Sequence, residues 1–225
     1  THFCRSCGSM LTKTLLDLGE MPLANAFLPK HELEPTEPTF ELHARVCTTC
    51  FLVQLNHPVP PENIFSDYAY FSSYSTTWLE HAQNFSKIAI ERLKLDETSL
   101  VMEIGSNDGY LLRHFSATNI PVLGVDPAIA PAKVARNRNV PTEALFFGSE
   151  TSIKLRETYG KADLMIANNV LAHVPDINDF LSGFRILLRE TGVVTFEFPH
   201  IMNLIEGTQF DTIYHEHYSY LSLHS

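Results

Sequence analysis

The chain is short of positive charge. Its 225 residues carry 16 Lys and Arg against 26 Asp and Glu, a formal net charge of −10 spread without long runs. A grip on nucleic acid needs Lys and Arg facing phosphates, so this balance argues against RNA or DNA as a partner. It still allows a small anion held by backbone amides at a helix N-terminus. Long apolar runs are also missing. None approaches the roughly 20 residues of a membrane helix, and no membrane association is expected. The opening "THFCRSCGSM" lacks the charged-then-apolar pattern of a signal segment, which predicts a cytoplasmic address. It begins on Thr1 and not on an initiator methionine, so residues ahead of it are expected to have been trimmed. Internal repeats and low-complexity stretches are absent. Ile, Leu, Val and Phe are plentiful enough for a core, and the length suits one large domain with a small appendage.

Cysteine is confined to two places, "CRSC" at 4–7 and "CTTC" at 47–50. Each C-x2-C turn presents two thiolates, and two such turns fill the four positions of a tetrahedral zinc. Cys4, Cys7, Cys47 and Cys50 are therefore the candidate ligands of a structural Zn2+ with no open position for substrate. Disulfides are the competing reading, which a cytosolic address disfavours. Four cysteines already satisfy the metal, so His2, His43 and His57 are expected to be ordinary surface or turn residues. The 39 residues between the knuckles are expected to form a small inserted unit. This front end is assigned residues 1–60.

Residues 61–97 change character midway. "SDYAYFSSYS" packs three tyrosines and four serines into a loop-like stretch, either a solvated linker or a lid over a pocket. From Ser75 onward Trp78, Ala82, Phe85, Ala89 and Leu93 recur at three- and four-residue steps, predicting a helix with one buried face and Thr76 or Thr77 as its cap.

From residue 98 strands and helices alternate. Strands are expected at 99–105, 121–126, 142–147, 162–170 and 192–198, with helices at 128–138, 150–158 and 177–190. The last of these would bury Phe180, Phe184, Leu187 and Leu188. Such alternation implies an α/β fold with a parallel, Rossmann-like sheet over 98–225, whose ligands bind at the carboxyl ends of strands where the order reverses. The loop after the first strand is "EIGSNDGY". Gly105 and Gly109 permit a sharp turn, while Asn107 stands where a dinucleotide fingerprint has glycine and tolerates left-handed angles. Asp126 ends the next strand about twenty residues on, where an acid bonding ribose hydroxyls belongs. Glu103, Gly105, Asn107, Asp108 and Asp126 are thus the candidate cofactor residues. Asn168 and Asn169 join them from the end of the fourth strand, with turn and cap chemistry as their alternative. The arrangement suits NAD or S-adenosylmethionine.

"E-x-G-x-x-x-G" at Glu103 resembles the first motif of class I S-adenosylmethionine methyltransferases, and "ANNVLAHVPD" their fourth-strand motif. Together with "CRSCG", "LGEMPLANAFL", "CTTCFLVQL", "YAYFSSYS", "LGVDPA", "EFPH" and "FDTIYHEHYSYLS", the chain resembles the zinc-containing sugar C-methyltransferases. The resemblance implies a small-molecule substrate, a nucleotide-linked 4-keto deoxysugar, enolised by a base and methylated at C3 from S-adenosylmethionine. It places the base at His217, completed by Tyr214 and Glu216; histidine is the usual base near neutral pH, particularly where a carboxylate sets its tautomer. It also puts Tyr68 and His173 in the sugar pocket, facing the developing oxyanion. From the residues alone, "YHEH" also reads as a metal site through His215 and His217 on one strand face, or as a polar strand end.

A sheet of this class continues past its fifth strand with a helix and two antiparallel strands. "YLSLHS" looks like the start of that helix, with Ser222 as cap, and the fifth strand would otherwise be an exposed apolar edge. The family also carries a carboxyl-terminal lobe. The expectation is therefore an incomplete sheet that lacks that lobe or relies on a partner chain. Two alternatives stand beside the enzyme reading: a non-catalytic zinc- and cofactor-binding module, and a methyltransferase for another acceptor.

Overall fold

The computed structural model describes residues 2–25, 37–56, 59–61, 64 and 71–225. In chain order its strands are β1 (Lys13–Met21), β2 (Phe40–Val46), β3 (Val53–Leu55), β4 (Val101–Ile104), β5 (Val122–Val125), β6 (Thr142–Glu143), β7 (Ala162–Asn168), β8 (Leu188–Glu197) and β9 (Ser219–Tyr220). Its α-helices are α1 (Thr76–Leu93), α2 (Leu112–Ser116), α3 (Ile129–Asn137), α4 (Ser149–Tyr159), α5 (Ile177–Leu187) and α6 (Ile201–Glu206). Two compact units hold them. One comprises Thr1–Ile64, Leu171–Asn178 and Phe198–Ser225, the other Phe65–Val170 and Asp179–Glu197.

The first unit is an antiparallel sheet in the order β1-β2-β3-β9. Strands β1 and β2 supply the insert expected between the cysteine knuckles. Leu42, Ala44, Val53, Leu55, Ile201, Leu204 and Tyr220 form its core. Residues 198–225, assigned by sequence to the cofactor domain, pack here because Tyr220 and Ser219 pair with Val53 and Gln54. In "YLSLHS" the Ser222 side chain bonds forward, as a helix cap does. Tyr220 is a strand residue, and the Ser222 hydroxyl accepts from His224 N at 3.2 Å to close a turn.

The second unit is a wholly parallel sheet in the order β6-β5-β4-β7-β8, so strand order reverses between β4 and β7. Between them β4 and β7 bury Val101, Leu164 and Ile166 in a core shared with Leu111, Leu112 and Phe115. Strands buried on both faces read as near-continuous apolar runs, which is how "LVMEI" and "ADLMIA" stand in the sequence. Helix α1 lays Ala82 and Ala89 into that core, with Trp78, Phe85 and Leu93 partly buried beside them. Its cap is Ser75, one residue ahead of the expected Thr76 or Thr77, and the serine hydroxyl accepts from Trp78 N at 3.3 Å.

Two strands depart from expectation. The third, predicted over 142–147, ends at Glu143 because Phe147 leaves the sheet to pack edge-on against Phe180 and Phe184, ring centroids 5.3 and 5.1 Å away. Helix α5 stops at Leu187, short of the expected 190. Leu188 already pairs with Ala162, and a bulge then carries the chain to Val193 opposite Leu164. Among the described residues no helix is long and apolar enough to cross a membrane.

Candidate active site

In the second unit the predicted cofactor residues gather at the carboxyl ends of β4, β5 and β7. Glu103 is wholly buried, and apart from the Tyr110 phenol its carboxylate is short of hydrogen-bond partners among the described residues. Burial drives its pKa well above the usual carboxylate value; Asp126 and Asp108 add to the rise and the Tyr110 phenol opposes it. A buried carboxylate in that state is short of donors, and the ribose hydroxyls or the ammonium and sulfonium charges of S-adenosylmethionine would meet the need. The residues present fit such a cofactor.

The loop after β4 is shaped by backbone geometry. Gly105 and Gly109 take φ of 71° and 76°, and Asn107 takes 49°, the left-handed angle expected of it. A Cβ on Gly105 would stand 3.1 Å from Val170, so glycine also lets the loop pass close to the end of β7. Asp126 holds this turn as well as ending β5: its Oδ2 accepts from Asn107 N at 2.8 Å and its Oδ1 from Ala128 N at 2.9 Å. Asp108 is wholly buried, its Oδ2 taking Arg138 Nη1 at 2.9 Å and the Ser73 hydroxyl. Asn107 Oδ1 accepts from Ser72 N at 2.9 Å. Ser72, Ser73 and Arg138 are absent from the sequence reading, because their partners lie some thirty or more residues away and no local spacing marks them. Asn168 ends β7, and its side chain partly offsets the rise that burial gives the Tyr110 pKa. Asn169 turns out at φ 53°, its N–H donating to Glu197 O at 2.7 Å, which is turn chemistry.

The first unit holds the metal ligands. Sγ of Cys4 lies 3.6 Å from that of Cys50, Sγ of Cys7 lies 3.6 Å from that of Cys47, and all four sit within 4.8 Å of one another. Sulfurs about 2.3 Å from a tetrahedral zinc stand about 3.8 Å apart, so the cage fits the ion. The gaps are far too long for a disulfide. Gln54 Nε2 donates to Cys4 Sγ at 3.1 Å, the kind of bond that steadies a metal-bound thiolate.

The same unit gathers the base candidates. His217 is pinned at both ring nitrogens, with Nδ1 at 2.9 Å from Thr212 O and Nε2 at 3.0 Å from the Tyr214 hydroxyl. A carbonyl only accepts, so Nδ1 carries the proton and Nε2 the lone pair, to which Tyr214 donates. Burial lowers the His217 pKa, and it raises that of Tyr214 to about 12. His173, 4.8 Å from His217 by ring centroids, donates from Nδ1 to the Glu216 carbonyl at 2.9 Å. Burial and the neighbouring imidazole bring it down to about 3, so it stays neutral with a lone pair on Nε2. The Glu216 carboxylate does not set the tautomer of His217. It accepts from the Asn25 amide, and the Thr212 carbonyl takes the role expected of it. A backbone acceptor leaves no side-chain signal, and Asn25 lies 191 residues away from Glu216 in the chain, so neither was visible in the sequence.

His215 lies apart from this group, its Nε2 on the Phe40 carbonyl at 3.1 Å. It sits with Glu216 in a turn and not on a strand, so it shares no strand face with His217. Among the described residues the four cysteines form the only cluster able to hold a metal. Tyr68 and His57 lie outside the described residues.

Comparison with known proteins accords with both units. A family model for a zinc binding domain matches residues 4–65, and a methyltransferase domain family matches residues 78–225. The C-methyltransferase NovU of Streptomyces niveus is 36% identical over 222 residues, covering 99% of this chain and 53% of that protein. The chain thus spans about half the length of that curated relative. Among solved structures, the YcgJ protein of Bacillus subtilis aligns at a TM-score of 0.48 and 15% identity over 64% of this chain and 63% of that one. A methyltransferase from Anabaena variabilis aligns at 0.47 and 15% identity over 57% and 56%. With its parallel sheet, its buried carboxylate at the strand reversal and a family match over most of its length, the chain belongs to the methyltransferase domain family.

Proposed function

We propose that the chain works as an S-adenosylmethionine-dependent C-methyltransferase in the cytoplasm, acting on C3 of a nucleotide-linked 4-keto deoxysugar. The observation that carries this reading is the doubly anchored imidazole of His217. A C–H beside a ketone is weakly acidic, so methylation at carbon needs a base and a donor for the enolate oxygen. His217 is neutral, with its lone pair fixed on Nε2 by the Thr212 carbonyl, which is the state a base must hold before it acts. The name of the NovU relative supports carbon as acceptor.

In this reading the substrate takes the place of Tyr214 at Nε2. His217 removes the C3 proton as the electron pair moves into the C4 carbonyl. The Tyr214 hydroxyl, still protonated because burial holds its pKa near 12, donates to the enolate oxygen. Bound S-adenosylmethionine supplies a methyl group made electrophilic by its sulfonium. Glu103 would hold the positive end of the cofactor, with the backbone of the loop from Gly105 to Gly109 available to it. His173, its Nδ1 held by the Glu216 carbonyl, keeps its assignment to the sugar pocket from the family resemblance. Tyr68 keeps its assignment to the sugar pocket from the family resemblance. Zinc has no open position and keeps the first unit folded.

Enolisation can be observed without methyl transfer. The chain is incubated in D2O with a nucleotide-linked 4-keto deoxysugar and S-adenosylhomocysteine, and C3 is followed by NMR. Deuterium enters C3 with the wild type and not with His217→Asn, while cofactor affinity stays unchanged. Exchange that persists at the wild-type rate in His217→Asn removes His217 from the role.

A further inference from the structure

Arg5 sits between the two cysteines of the first knuckle, where a zinc module needs no particular side chain, yet it points inward. Its Nη1 donates to Leu55 O at 2.8 Å, and its Nη2 donates to Tyr218 O and to Ser219 Oγ, the latter at 3.2 Å. Its own N–H donates to Gln54 Oε1 at 2.9 Å, while Gln54 passes its amide to Cys4 Sγ. The Asn178 side chain donates to the carbonyls of Arg5 and Ser6 at 3.1 and 2.9 Å, fixing the knuckle from its other side. Tyr218 directly follows His217, and its carbonyl also receives Leu55 N–H at 3.0 Å. One guanidinium therefore joins the cysteine cage to the peptide carrying the imidazole.

We infer that Arg5 is a positioning residue through which the zinc knuckle holds the His217 peptide in register. Four thiolates around Zn2+ carry a net charge of −2, and a guanidinium beside Cys4 offsets part of it. The planar fork spans a carbonyl of β3 and one just ahead of β9, which an ammonium on a flexible stem cannot reproduce. Metal loading thus sets how firmly the segment at 217–219 is held. This rests on reading His217 as the base, but its readouts need no turnover.

The test is Arg5→Lys in the full chain, with zinc content, amide exchange and the ring nitrogens of His217 followed by NMR. With one zinc per chain, exchange at Leu55 rises tenfold or more, and the His217 ring leaves the pure Nδ1–H signature for averaged tautomers. Met102, in the parallel sheet, keeps its protection. Leu55 and His217 indistinguishable from wild type in zinc-loaded Arg5→Lys overturn the inference. If that variant does not fold, wild-type chain is stripped with a chelator and reloaded. A His217 signature that changes on stripping and returns on reloading upholds the coupling, and one that never moves refutes it. A clamp that behaves as described in a chain that fails to exchange C3 deuterium would sink the proposed reaction and leave this inference standing.

Discussion

Glu103→Gln separates stability from cofactor binding, because the wild-type carboxylate is buried and, among the described residues, short of hydrogen-bond partners apart from the Tyr110 phenol. Its folded pKa lies well above the unfolded value of about 4.5. The proton it holds when folded therefore contributes stability that is complete below pH 4.5 and lost as pH rises through the folded pKa. Without cofactor the wild type should melt lower as pH climbs toward 8, and Glu103→Gln should flatten that slope and melt higher at pH 8. Cofactor binding reverses the preference, since an ionised carboxylate bonded to a cationic or hydroxyl donor contributes about 1.5–3 kcal/mol. Converted at about 1.4 kcal/mol per decade, the variant should bind S-adenosylmethionine roughly 10- to 150-fold more weakly. Calorimetric titration gives the affinity, and melting at several pH values without ligand gives the slope. A variant that melts lower than wild type at pH 8 and binds the cofactor as tightly would refute the argument, since it would mean Glu103 serves the fold and not the ligand.

Three further outcomes are expected. Burial lowers the His217 pKa, so C3 exchange should hold constant from pH 8 down past 6.5 and fall only on the acid side of that value; an acidic limb centred above 7 would contradict the neutral, buried imidazole. Gly105→Ala forces a β-carbon into a left-handed position costing about 1–2 kcal/mol and crowds Val170 at 3.1 Å, so the melting temperature should drop and cofactor affinity should weaken; a neutral substitution would show the loop adjusts freely. Cys47→Ser removes a buried ligand, and metal analysis should show zinc lost together with amide protection in β2 and β3, while β4 and β7 keep theirs.

How much was legible in the sequence depended on whether the deciding partner was local. The cysteine pairs, the left-handed Asn107 and the apolar strands expected at 99–105 and 162–170 each follow from their own neighbourhood, and the structure has the strands within those spans, at 101–104 and 162–168. Boundaries failed where distant contacts decided them. Phe147 ends a continuous apolar run, but a pair of phenylalanines on α5 draws it off the sheet. Residues 198–225 read as part of the cofactor domain until the partner of Tyr220, Val53, is known. At the imidazole, the expected carboxylate is present in the sequence, yet a main-chain carbonyl orients the ring. No residue type encodes that choice.

The pairing of β9 with β3 also bears on how the molecule is made. Everything that builds the parallel sheet is translated between these two strands, so the knuckles and their hairpin emerge from the ribosome with the β3 flank uncovered. Contacts so far apart in sequence form late, after those within the parallel sheet. Until then β3 is an open template for a stray strand, and early capture of the metal would be the nascent front end's main protection against mispairing.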